Sequence, residues 1–212
     1  MYIQKLCYLK YLANTRHIIL AVVEVPQPKR TNVIADLHGR LDLLNMALAA
    51  ILECEPGTLI TLGDYVDRGP DSRGVVERLM DGGPDGWRWI NLQGDHEQIT
   101  LIDCAEPEAI KWSLKNGGGE TLVSYGQRLG DMADTGIIPF NHLEWMANLP
   151  LTHFDDHRVY VHAGMLRDRP LADHDVLVNK DNELIACWMR YDGTLTKLED
   201  AYCRLPGLRG KP

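Results

Sequence analysis

Four short polar clusters in this sequence carry side chains that could do chemistry together. The first is Asp36-Leu37-His38-Gly39-Arg40 and the second Gly63-Asp64-Tyr65-Val66-Asp67-Arg68-Gly69. Gly94-Asp95-His96-Glu97 is the third and His162-Ala163-Gly164 the fourth. Carboxylates and imidazoles gathered at one point most often bind metal, and a mixed oxygen and nitrogen donor set suits Mn, Fe or Zn better than Ca. Asp36 and His38 are two residues apart, a spacing that on an extended strand end puts both side chains on one face. Two metal ions sharing one carboxylate can clamp a phosphoryl group and ionise a water between them.

That chemistry needs elements that bring the clusters together. Thr31 to Ala35 is a short β-branched run, and Leu41, Leu44, Leu48 and Ile51 then recur at helical spacing, which predicts a helix from Leu41 to Cys54. Thr58 to Leu62 reads as a second strand, Ser72 to Met80 as a second helix and Trp87 to Leu92 as a third strand. This β-α-β-α-β order is the pattern of a parallel sheet with crossover helices. Asp36 and Asp64 are 28 residues apart and Asp64 and Asp95 are 31 apart, about one β-α unit each. Such spacing returns the chain to the same sheet edge, where open α/β sheets place their ligands. Further helices are predicted over Glu97–Cys104, Glu108–Leu114, Thr121–Leu129 and His142–Asn148, with a glycine-rich break at Asn116 to Gly119. Val159 to Val161 reads as a strand leading into His162.

Composition narrows the setting. A chain of 212 residues fits one domain with a short appendage, large enough to bury a core unaided. The net charge of −8 argues against nucleic acid as a non-specific partner, because such binding rests on Lys and Arg. The five cysteines are scattered with no Cys-x-x-Cys pair, so neither a zinc ribbon nor a disulfide scaffold is expected and a reduced cytoplasmic setting fits. The early apolar run Ile18 to Val23 is too short for a membrane span and lacks the cleavage site of a signal peptide, so no membrane association is expected. Residues 1–30 read as an appendage ending in a linker at Pro26, Pro28, Lys29 and Arg30, or as an extra strand or helix packed on the domain. Residues 31–191 are the expected domain, and residues 192–212 a divergent or loose tail.

The clusters together resemble the calcineurin-like metallophosphoesterases, and within them the bacterial serine/threonine protein phosphatases. Those carry Gly-Asp-x-His-Gly, Gly-Asp-x-Val-Asp-Arg-Gly and Gly-Asn-His-Glu in order, then a later His. The likeness runs from about Thr31 to Gly164, and Asn116 to Gly119 and Ser124-Tyr125-Gly126 also resemble the bacterial branch. It implies an α/β sandwich of two mixed β-sheets flanked by helices. It also implies two divalent transition-metal ions, Mn2+ first with Fe or Zn as alternatives, and a phosphorylated protein as substrate. Residue by residue, Asp36 and His38 would bind one metal, Asp64 would bridge, and Asp95 and His162 would bind the other. His96 would protonate the leaving alkoxide, oriented by Asp67. Arg68 would bind phosphate oxygens through its planar guanidinium. Arg190, in Trp188-Met189-Arg190, resembles a second phosphate binder.

Three departures from the family pattern stand out. Ala35 replaces a glycine. Asp95 stands where the family has Asn, which adds a negative charge and removes an NH2 donor toward phosphate. The family's late Gly-His-Thr-like segment has no counterpart after His162, where the one remaining histidine is His174, so a C-terminus shortened or diverged from about Tyr191 is implied. Two further functions are therefore carried beside the protein phosphatase: a pseudo-phosphatase that binds a phosphorylated partner, and a symmetrical diadenosine tetraphosphate hydrolase. Asp67 favours the protein phosphatase branch. Plainer roles compete at some positions. Asp67 and Arg68 could form a surface ion pair, Arg190 could be an ordinary surface residue, and His153, His157 and His174 read as solvated loop residues. His142 and the tryptophans Trp87, Trp89, Trp112 and Trp145 read as structural. The run Gly117 to Gly119 reads as a hinge, since no P-loop Lys accompanies it.

Overall fold

A computed structural model of the chain describes residues 5–10, 19–24, 30–105, 109–128, 130–165 and 187–188. The chain divides into two compact units, Met1–Arg30 and Thr31–Pro212. In the first, β1 (Lys5–Lys10) and β2 (Ile19–Glu24) pair antiparallel, with Lys5 opposite Glu24 and Lys10 opposite Ile19. The segment thus contains two strands. The expected linker residues Pro26, Pro28 and Lys29 lie outside the described residues, as do Arg190, His174 and the tail 192–212.

The second unit is built on three parallel strands, β3 (Thr31–Ile34), β4 (Thr58–Thr61) and β5 (Arg88–Asn91), with β4 in the middle. Ile34 is level with Thr61, and Thr61 with Asn91, so all three strands end on one line and their loops leave from one edge. Helices α1 (Leu41–Leu52) and α2 (Ser72–Met80) make the crossovers. The expected helical stripe sets α1 on the sheet: Leu44 and Leu48 are buried with Leu37, Leu59, Tyr65, Val75 and Leu79 in one core cluster. Asp71 starts α2 by accepting the Gly74 N–H at 2.8 Å, satisfying one of the amides a helix start leaves open.

Helix α3 (Asp95–Ala105) begins two residues before the expected Glu97, so Asp95 and His96 occupy its first turn. Helices α4 (Ile110–Asn116) and α5 (Gly118–Ser124) meet at Gly117, whose φ of 98° breaks the helical path. The helix expected through Leu129 stops at Ser124. Gly126 turns left-handed at φ 106°. The Gln127 and Gly126 amides then close back on the carbonyls of Leu122 and Val123, the bond pair that terminates a helix on a glycine. Past α6 (Phe140–Ala147), β6 (Thr152–Phe154) and β7 (Val159–Val161) pair antiparallel. Strand β6 escapes sequence reading because three residues, two of them polar, give no periodic signal. Tyr160 of β7 packs with Ile60 and Leu92, which brings His162 to the edge where β4 and β5 end.

Several residues read as structural find such roles. Trp87, Trp89 and Trp145 pack on the first core cluster, while Trp112 stacks on Trp188 with ring centroids 5.5 Å apart. His142 is buried and hydrogen-bonds the Tyr125 hydroxyl at 2.9 Å. His153, expected in a loop, lies in β6 and stacks on Tyr160. Among the described residues no helix is long and apolar enough to cross a membrane.

Candidate metal centre

Asp64 sits where the loops meet. After β4 ends at Thr61 the chain turns at Asp64, and the Asp64 carbonyl accepts the amides of Leu37 at 2.9 Å and His38 at 2.7 Å. The Tyr65 carbonyl accepts the Gly39 amide at 2.8 Å, so the loops after β3 and β4 are locked together through backbone. The price of this packing shows in the dihedrals. His38, Asp64, Asp67 and Arg68 all have positive φ, at 41°, 54°, 70° and 68°. Each such non-glycine residue costs on the order of 1–3 kcal/mol and persists only where its surroundings over-determine it. The turn at His38 also corrects the extended strand-end geometry expected for Asp36 and His38. Asp36 groups with Asp64 and His162, whereas His38 groups with Asp64 and His96.

Glu97 secures the third loop, a role that the sequence reading did not give it. Its buried carboxylate accepts the amides of Asp64 at 2.9 Å, Tyr65 at 2.7 Å and Gly94 at 2.9 Å. Burial pushes its carboxyl up from the ordinary value, against the pull of those three amides. Its place in the first turn of a helix, directly after a metal-binding pattern, was the signal available in the sequence. Gly94 is needed for the same closure, because a Cβ there would run into the Asp64 side chain and amide. Gly94→Ala should therefore lower stability by about 1–3 kcal/mol, as overpacking of closely fitted groups does. Urea unfolding checks this, and an unchanged midpoint would show that the Asp64 loop can step aside.

The ligating atoms of His38, Asp64 and His96 lie within 4.8 Å of one another, and so do those of Asp36, Asp64 and His162. Asp64 belongs to both groups. Its Oδ2 is 3.5 Å from His38 Nε2, and its Oδ1 is 3.5 Å from His162 Nε2. Asp95 joins the second group, with Oδ1 at 3.3 Å from His162 Nε2. The imidazoles are held from behind: His38 Nδ1–H donates to the Val66 carbonyl and His162 Nδ1–H to the Leu62 carbonyl, each at 2.9 Å. A backbone acceptor on Nδ1 leaves the Nε2 lone pair for a cation, the arrangement usual for metal-binding histidines. The donor set fits divalent transition metals.

The electrostatics agree with that fit. Burial, and then the Glu97 charge, pushes the Asp64 carboxyl up to about 8, so the pocket favours positive charge beside it. Burial works against the charged form of His162, but hydrogen bonding to Asp95 and the charges of Asp64 and Asp95 outweigh it and raise the imidazole to about 9. Asp95 is pushed up by burial and pulled down further by hydrogen bonds with His162 and Asp64, ending below its ordinary value. Burial lowers His38.

A second arrangement adjoins this one. His96 Nδ1–H donates to Asp67 Oδ2 at 2.6 Å, and the two residues are 1% and 0% exposed. Burial opposes protonation of His96, but the Asp67 hydrogen bond and the nearby carboxylates prevail and raise it. The Thr121 hydroxyl donates to Asp67 Oδ1 at 2.6 Å and accepts the Asp67 amide at 2.8 Å. Arg68 turns away from Asp67, so the two do not form the alternative surface ion pair. Its Nη1 donates to His38 Nε2 and its Nη2 to His96 Nε2, each at 2.6 Å, which sets the guanidinium across both imidazoles. Gly117 holds it there: its carbonyl accepts the Arg68 amide at 3.0 Å, and a Cβ on Gly117 would press on that same amide. Trp188, two residues before Arg190, donates its indole N–H to Gln98 on α3 at 2.7 Å.

Residues 29–199 match the family of calcineurin-like phosphoesterases. The chain is 31% identical to serine/threonine-protein phosphatase 1 of Salmonella typhimurium, over 75% of this chain and 72% of that protein. It is 27% identical to the symmetrical bis(5'-nucleosyl)-tetraphosphatase of Nitrosomonas europaea, over 58% of this chain and 40% of that one. The solved metallophosphoesterase from Sphaerobacter thermophilus is 21% identical, covering 64% of this chain and 47% of its own, with a TM-score of 0.42. The chain thus spans about half the length of that solved structure.

Proposed function

This chain belongs to the calcineurin-like phosphoesterase family, a family of metal-dependent phosphoester hydrolases, and from that membership we propose that it is a phosphomonoesterase acting on phosphoserine and phosphothreonine in proteins. The observation that carries the reading is the division of Asp64, one oxygen toward His38 Nε2 and the other toward His162 Nε2, beside the Arg68 guanidinium and the His96–Asp67 pair. Asp36, His38, Asp64, Asp95 and His162 would hold two divalent ions, Mn2+ first, and such ions supply Lewis-acid activation of phosphoryl oxygen and of water. Arg68 presents two N–H groups to the phosphate, matching its oxygens in a plane. His96 keeps one proton on Nδ1 against Asp67, so the proton it delivers to the leaving alkoxide would be carried on Nε2 once the Arg68 N–H that now points at that nitrogen turns to the phosphate. Arg190 is proposed as a second phosphate binder. A reduced cytoplasmic setting suits the substrate.

Asp95 sets the level of activity. As a carboxylate beside Asp64 it adds negative charge where phosphate must approach, and it offers no N–H. Removing one preorganised donor typically costs about 10²–10³ in rate. Asp95→Asn should raise kcat on p-nitrophenyl phosphate about tenfold or more at saturating Mn2+. A fall would show that the carboxylate is needed to keep the metal.

The substrate class is tested by competition. A phosphothreonine peptide and diadenosine tetraphosphate are offered together, and release of phosphate and of ADP is followed. Phosphate release from the peptide is expected to dominate. Predominant ADP release would move the chain to the dinucleotide hydrolases, in line with its likeness to the Nitrosomonas protein. Binding of the peptide with no product from either would make it a pseudo-phosphatase.

A further inference from the structure

Helix α3 carries chemistry beyond its first turn. His96, Thr100 and Asp103 follow at i, i+4 and i+7, a spacing that stacks them along one face of the helix. Asp103 is 1% exposed, and its Oδ1 has no hydrogen-bond partner among the described residues. A buried carboxylate oxygen left in that state is costly unless something small and polar reaches it. Asp103 also lines a cavity of about 10 Å3, together with Asp67, Thr100, Ser113, Gly118 and Thr121. That is room for one water, and the walls supply the two to four polar partners that a buried water needs. Gly118 keeps the space open, since a Cβ there would displace the Ser113 hydroxyl. On the far wall stand Asp67, which holds His96 Nδ1–H, and Thr121, which holds Asp67.

We propose that Asp103 is a positioning residue for the Asp67–His96 pair, acting through one ordered water in the cavity between α3, α4 and α5. The water accepts or donates among Asp103 Oδ1, the Ser113 and Thr100 hydroxyls and the Asp67–Thr121 pair, and so fixes the carboxylate that aims His96. Burial pushes the Asp103 carboxyl up to about 6 against the pull of the Ser113 hydroxyl, and the nearby Asp67 charge adds a smaller rise. The proposal rests on the reading of His96 as the acid that protonates the leaving group.

The test uses the full chain loaded with Mn2+ and two variants. Asp103→Asn keeps a hydrogen-bonding side chain of the same shape, whereas Asp103→Leu fills the cavity and expels the water. Loss of an outer partner of a functional imidazole typically costs about ten- to a hundredfold. Asp103→Leu is therefore expected to lower kcat for phenyl phosphate about tenfold with KM unchanged, while p-nitrophenyl phosphate, whose leaving group needs little protonation, falls far less. Asp103→Asn should restore most of the phenyl phosphate rate. Independently of turnover, magnetisation transfer from a long-lived water to the Thr121 amide should be present in the parent and Asn proteins and absent in the Leu protein. The downfield Nδ1 proton of His96 should shift only in the Leu protein. If Asp103→Leu does not fold, Ser113→Ala removes a water partner from the opposite wall and is read in the same way. A dry cavity, or equal losses on both substrates in a folded variant, would overturn the proposal. If the parent hydrolyses neither substrate, the reading of the enzyme fails, and the water and Nδ1 signals still decide the role of Asp103.

Discussion

Replacing His96 with asparagine is expected to lower kcat for phenyl phosphate about a hundredfold or more, yet to reduce p-nitrophenyl phosphate turnover far less. The difference follows from the leaving groups. Phenolate and alkoxides need a proton as the P–O bond breaks, whereas p-nitrophenolate departs readily without one, and a positioned acid contributes about 10²–10⁴. The proposed assignment of that work to His96 rests on geometry. Its Nδ1–H is fixed on Asp67 at 2.6 Å, and its Nε2 is turned to the side where Arg68 lies. Asparagine removes the proton carrier. Because His96 also stands within 4.8 Å of the His38 and Asp64 ligating atoms, metal content is measured on the same sample. Equal losses on the two substrates with Mn2+ content unchanged would remove His96 from the role of acid.

Replacing Glu97 with alanine is expected to cost about 3–5 kcal/mol of stability, the scale set by leaving several buried amides without an acceptor. Three amides, from Asp64, Tyr65 and Gly94, lose their acceptor at once. Buried N–H groups left open each cost about 1–3 kcal/mol, partly recovered if water enters the space left behind. Against a typical total of about 5–15 kcal/mol, that is a large share. Glu97→Gln keeps one oxygen but turns an NH2 toward the amides, so it should lose less than alanine and more than a surface change would. Urea denaturation of both variants, with Mn2+ affinity by calorimetry, reads the two consequences together. Affinity should fall with stability, because the same carboxylate sets the turn that presents Asp64. An alanine variant within about 0.5 kcal/mol of the parent would mean that the loop holds itself, leaving Glu97 incidental.

Much of this arrangement is legible in the sequence, and the reasons differ by element. The β-α-β-α-β core is plain because α1 and α2 carry regular apolar stripes and each strand is a compact run between turn residues. The level strand ends follow from the near-equal spacing of Asp36, Asp64 and Asp95. The side to which each ligand turns is not legible. It depends on positive φ at His38 and Asp64, a conformation that neither residue type announces and that only the interlocked loop backbones impose. The extended backbone read through His38 gives way there to a left-handed turn. Glu97, Thr121 and Asp103 escape for another: their partners are amides, hydroxyls and a cavity supplied by distant segments, and a one-dimensional pattern does not record them. The overlong α5 is a local matter, since its apolar spacing continues past the point where Gly126 ends the helix.

The central claim is that these clusters form a working metal-dependent phosphatase. It is met most directly by p-nitrophenyl phosphate hydrolysis of the purified chain, chelator-treated and then reloaded with Mn2+, against an equal concentration of Mn2+ alone. The account predicts turnover well above the Mn2+ blank that vanishes on chelation and returns with metal, and that Asp64→Asn abolishes. A folded, Mn2+-loaded chain that turns over no faster than the blank would contradict it.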